Sequence, residues 1–100
     1  MALVPIGDEQ ITVSTSSIGF TTAEVTTKVV LARCENIGSG GVIWWRPTGT
    51  ASNSGANGEG RLAQYDSIEF YGQRAILAVE FIKNSGDSDV SLNVQYYGEG

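Results

Sequence analysis

The chain has no histidine, one cysteine (Cys34), two prolines (Pro5 and Pro47) and only six cationic side chains in 100 residues. Without histidine it lacks the commonest general base and the commonest metal ligand. A single cysteine excludes an internal disulfide, and with it a disulfide-stapled secreted module. Lys28, Arg33, Arg46, Arg61, Arg74 and Lys83 are scattered singly against eleven acidic residues, for a net charge of −5. No stretch can neutralise a row of phosphates, so nucleic acid is excluded as a partner and an anionic membrane surface is disfavoured. No apolar run approaches the length of a membrane span. The segment Met1 to Glu9 has neither a positive region nor a signal-peptide apolar run, so synthesis in the cytoplasm without export is expected.

What is present is alternation. In Gln10 to Ser14, Ile11 and Val13 fall on one face and Thr12 and Ser14 on the other. Lys28 to Glu35, Val42 to Arg46, Arg61 to Ala63, Ser67 to Tyr71, Ala75 to Lys83 and Val90 to Tyr97 also read as strands. Turn-forming clusters separate them, including Asn36 to Gly41 and Asn84 to Asp89, the latter predicting a hairpin between its flanking strands. The small and polar stretch Thr48 to Gly60 predicts a surface loop, dispensable for folding. The fold class expected is all-β: one antiparallel β-sandwich, jelly-roll-like, over residues 10–100, preceded by an extended arm at 1–9. Any helix should be short, around Ala23 to Thr26. The expected core is Val13, Val30, Leu31, Ile43, Leu62, Ile68, Phe70, Leu77, Val79, Phe81, Leu92 and Val94.

Candidate chemistry is sparse. Cys34 shares a strand face with Val30 and Ala32 and reads as a small core filler, because a nucleophile would need a partner base. Asn84, Asp87 and Asp89 fall short of the six or so oxygen ligands that calcium takes, so a solvated turn is expected. Glu59, Asp66 and Glu69 could supply a carboxylate pair for glycoside chemistry, but no cleft is visible to hold them apart. No serine lies in a nucleophile-elbow pattern. No catalytic residue, cofactor or metal site is assigned, and the expectation is a protein that binds or assembles rather than an enzyme.

Two features point to contact surfaces. Trp44 and Trp45 are adjacent on one strand and must point to opposite sides of their sheet, so one needs a cover. Across Ala75 to Lys83, Leu77, Val79 and Phe81 make one apolar face while Ile76, Ala78 and Ile82 make another. A strand apolar on both sides is buried on both sides. Trp44, Trp45, Ile76, Ala78 and Ile82 form the candidate interface if further copies of the chain supply the cover; residues 1 to 27 wrapping over the Ala75 to Lys83 strand is the equal alternative. The alternative is a carbohydrate-binding module using Trp44, Trp45, Tyr65, Tyr71, Tyr96 and Tyr97.

The order of motifs narrows this reading. A strand ending Ala-Arg-Cys-Glu-Asn is followed by GGVIWWRPTG, a small-residue loop, GEGRLAQYDSIEFYG and AILAVEFIKNSGDSDVSLNVQYYG. Over roughly residues 28 to 98 this resembles small bacteriophage virion structural proteins. The resemblance implies a capsid decoration (cement) protein: a homo-oligomer, with a trimer favoured, docked on the major capsid protein at the capsid surface. A head, collar or tail accessory role is the neighbouring possibility. In this role the arm Ala2 to Glu9 would reach onto a neighbour or the shell.

Overall fold

A computed structural model describes residues 3–20, 29–38, 41–48, 50–51, 60–84 and 88–99. Among them are seven strands and one short helix: β1 (Leu3–Val13), β2 (Leu31–Asn36), β3 (Ile43–Arg46), β4 (Gly60–Leu62), β5 (Ser67–Tyr71), α1 (Gln73–Ala78), β6 (Glu80–Lys83) and β7 (Val90–Glu99). They form a four-stranded sheet in the order β1-β7-β2-β5 and a three-stranded sheet in the order β4-β3-β6. Every pairing is antiparallel. The protein is all-β, as the alternation predicts. A jelly roll has eight strands in two sheets; the strands here divide as four and three.

The two sheets share one core. Strand β7 buries Val90, Leu92, Val94 and Tyr96 and turns the residues between them outward. Ile11 and Val13 of β1, and Ala32 and Cys34 of β2, lie on the same inner face, opposite Ile43, Leu62 and Phe81 of the smaller sheet. Phe20 ties the layers together, its ring centroid 5.4 Å from Phe81, 5.7 Å from Tyr96 and 6.3 Å from Phe70. Edge-to-face geometry suits the quadrupoles of such rings. Burial pushes the Cys34 thiol up to about 12, and the Glu9 carboxylate adds to the rise. Cys34 is a core filler and stays a thiol.

Three expectations about local structure are corrected. The segment Ala75 to Lys83 is not one strand. Gly72, at φ +86°, breaks the chain after β5, and Gln73 to Ala78 closes a turn and a half of helix before Val79 returns to extended backbone. Arg, Ala, Leu and Gln are strong helix formers, and six residues are too few to display a helical period. The helix exchanges two of the expected positions: Leu77, expected in the core, is exposed and Ile76 enters it, while Val79 is buried as expected. Second, β6 and β7 do not form a hairpin, because β6 pairs with β3 and β7 lies in the other sheet between β1 and β2. The chain crosses between layers there, as it does between β4 and β5. Third, the extended arm is part of β1, paired with β7 from Leu3 onward. Pro5, which cannot donate to a ladder, sits on this outermost strand beside a bulge between Pro5 and Gly7. Val30 and Ile68, expected in the core, are half-buried. The short helix around Ala23 to Thr26 lies outside the described residues, as does the loop Thr48 to Gly60 except for Thr48, Thr50, Ala51 and Gly60.

One buried polar residue organises the crossovers. Asn36, at the end of β2, is fully buried. Its Nδ2 donates to the carbonyls of Gly41 and Leu62, both at 2.9 Å, and its Oδ1 accepts from the Gly38 amide at 2.9 Å. Its backbone N–H donates to Asp66 O at 3.0 Å, and its carbonyl accepts from Tyr65 N–H at 2.7 Å. A single side chain thus holds the β2–β3 turn against the end of β4, and its backbone holds the β4–β5 connection.

Candidate functional site

The sandwich has two outer faces. On the three-stranded sheet, Ile43 and Trp45 point inward, so Trp44 and Arg46 point outward. Trp45 packs against the core with its ring 5.3 Å from Phe70, and it covers Gly60 on the neighbouring strand. A Cβ on Gly60 would lie 2.1 Å from the Trp45 ring, so the close approach of β4 requires glycine there. Trp44 is half-buried on the opposite side, directly across from Arg61 of β4 and Ile82 of β6. Its Nε1 donates to Asn84 Oδ1 at 3.1 Å, which fixes the indole on the sheet surface. Arg46 stands opposite Glu80, whose Oε1 accepts from Ser17 Oγ at 2.6 Å.

The five residues of the expected interface therefore separate. Trp44 and Ile82 are brought together on one outer face. Trp45 and Ile76 belong to the chain's own core, and Ala78 is half-buried on α1. Ile82 itself is only 7% exposed. The broad apolar surface expected from Ile76, Ala78 and Ile82 is not there, because the helix turns Ile76 inward. Arg61, beside Trp44, is the residue the sequence reading missed; the period-two register across β3 and β4 is the signal that would have found it.

The outer face of the four-stranded sheet is built differently. Near one end, Pro5, Tyr97, Leu31 and Tyr71 stand side by side across all four strands. Tyr71 is 63% exposed, while Leu31, with a tyrosine on either side, is only 8% exposed. The next row is Asp8, Gln95, Arg33 and Glu69, and the one after it Gln10, Asn93, Glu35 and Ser67. Each tyrosine is tied to the polar residue two places earlier on its own strand. Tyr71 Oη donates to Glu69 Oε1 at 3.0 Å, and Tyr97 Oη donates to Gln95 Oε1 at 3.2 Å. The bond to Glu69, and then the charge of that carboxylate, raise the Tyr71 phenol above its ordinary value of 10.0.

Of the other candidate residues, Tyr96 is fully buried and donates from its hydroxyl to the Glu9 carboxylate. Tyr65 is 70% exposed, at φ +68° in the β4–β5 connection. Asp66 accepts from the Ala63 amide at 3.0 Å, an ordinary turn bond. Asp89 is exposed, and Asp87 and Glu59 lie outside the described residues. Among the described residues no three His, Cys, Asp or Glu side chains cluster as metal ligands, and no helix is long and apolar enough to cross a membrane. Comparison with protein-family models, curated proteins and solved structures gives no match to this chain.

Proposed function

We propose that the protein is a non-enzymatic structural component of a bacteriophage virion, a capsid decoration protein that docks on the shell as a homo-oligomer. The motif order across residues 28 to 98 supports the class, and the favoured trimer follows from that resemblance. The observation that carries the docking reading is the placement of Trp44. It lies on an outer sheet face, held by Asn84, with Arg61 on one flank and Ile82 on the other. Tryptophan and arginine are the residues most enriched where a few side chains dominate a protein–protein contact. Docking would complete the burial of the indole. A cement protein of this kind works by added contact area and needs no metal, cofactor or covalent bond.

Quantitative mass spectrometry of purified particles from cells carrying the gene tests this reading. The protein should be present in a fixed, high ratio to the major capsid protein, and Trp44→Ala should lower its occupancy at least about tenfold while the variant still folds. Absence from particles refutes the virion assignment. Presence at a few copies per particle refutes decoration in favour of a head–tail accessory.

A further inference from the structure

We infer that the tyrosine-bearing outer face of the four-stranded sheet is a glycan-binding platform for an uncharged, extended polysaccharide. This inference does not rest on the virion assignment, because it concerns the face opposite Trp44. Tyr71 and Tyr97 sit two strands apart, about 9–10 Å by strand spacing, with the mostly covered Leu31 between them. Their hydroxyls are bonded to Glu69 and Gln95, so both rings are held along their strands instead of swinging freely in water. The C–H face of a pyranose ring is apolar and slightly positive, and it stacks on the negative face of an aromatic ring. Two restrained aromatics in a row match a chain of such rings and not a single sugar.

The rest of the face supplies what the sugar edges require. Directly beside the tyrosine row run Asp8, Gln95, Arg33 and Glu69. Carboxylates accept, guanidinium donates and the amide does both, which is the mixture that hydroxyl groups need. The sheet holds these groups on a rigid, flat surface. A protein partner is less well matched, because the only aliphatic side chain between the tyrosines is already covered, the two rows toward Gln10 and Ser67 are polar, and the exposed apolar residues Leu3 and Pro5 are confined to the β1 edge. Charge selects among glycans: Asp8, Glu35 and Glu69 oppose Arg33 alone on these rows, so anionic polysaccharides are repelled.

Native affinity electrophoresis through gels containing dextran, galactomannan, xyloglucan or hydroxyethylcellulose, with alginate as the anionic control, tests the inference. At least one neutral polymer should retard the protein and alginate should not. Calorimetry with that polymer should show Tyr71→Ala and Tyr97→Ala each weakening binding at least about tenfold, with unchanged circular dichroism and melting temperature. Tyr71→Trp should retain binding, and so should Trp44→Ala, which separates this face from the proposed docking face. Failure of all four neutral polymers, retardation by alginate alone, or undiminished binding by the Tyr71→Ala/Tyr97→Ala double variant would overturn the inference. Loss of particle docking in that double variant, without sugar binding, would assign the face to a protein partner instead.

Discussion

Replacing Asn36 by alanine should be among the most damaging single changes in this protein. The side chain is fully buried and makes three hydrogen bonds, donating to Gly41 O and Leu62 O and accepting from Gly38 N–H. A net bond contributes about 1 kcal/mol, but stranding a buried partner costs about 1–3 kcal/mol. Gly38 is half-buried, so water can reach its amide; the Leu62 carbonyl belongs to a buried residue on β4. The expected loss is about 3–5 kcal/mol, a large share of the roughly 5–15 kcal/mol that such a domain possesses. Asn36→Asp should be no milder. It nearly preserves shape but aims an acceptor, charged or in need of a proton, at two carbonyl oxygens. Urea denaturation, followed by tryptophan fluorescence and circular dichroism, reads the loss as a lower midpoint with unchanged slope. Native-state hydrogen exchange should show the Gly38 amide losing protection before the Tyr65 amide, whose acceptor is the Asn36 backbone. A loss below about 1 kcal/mol, or an aspartate variant as stable as wild type, would refute the reasoning.

Cys34 should be inert to thiol reagents in the native state and reactive once unfolded, because burial raises it from 9.0 to about 12. The folded form holds the proton more tightly, so stability is intact below the unfolded value near 9 and is lost as pH rises toward 12; relative to Cys34→Ala, wild type should lose about 1.4 kcal/mol per pH unit in that window. Gly60→Ala should lower stability by about 1–3 kcal/mol in thermal melts, because the new Cβ displaces the Trp45 ring from its edge contact with Phe70. Tyr65, exposed and at φ +68°, should tolerate glycine with an equal or higher urea midpoint, whereas Tyr65→Val should lower stability by about 1 kcal/mol or more.

The strands β1, β2, β3, β5 and β7 were legible because each alternates over a half-buried sheet; Val13, Ile43, Phe70, Leu92 and Val94 fill the core as expected, whereas Leu31 lies on the outer face and Ile68 is half-buried. What failed was the stretch after β5. There Ile76, Ala78 and Ile82 imitate a period of two, while the composition of Gln73 to Ala78 and the positive φ of Gly72 decide for a helical turn. Alternation also cannot say which sheet a strand joins, so β6 and β7 appeared as a hairpin although they lie in different layers. The choice between Trp44 and Trp45 was closed to periodicity, which separates the two without saying which faces inward. Gly60 and Phe70 decide it, by making room for the Trp45 ring on one side only. Asn36 looked like a turn residue because its hydrogen-bond partners are distant in sequence or carry no side-chain signal: two are carbonyls and one is an amide. The tyrosine row was likewise hidden, since Pro5, Leu31, Tyr71 and Tyr97 become neighbours only through the strand order.

The most direct test of the central claim is the structure of the purified particle by electron cryomicroscopy. Density for this two-sheet domain is expected on the outside of the capsid at regular positions, with the Trp44 face against the shell and the Tyr71–Tyr97 row turned to solvent. Particles without such density, or with the domain seated on the shell through its tyrosine row, would contradict that claim.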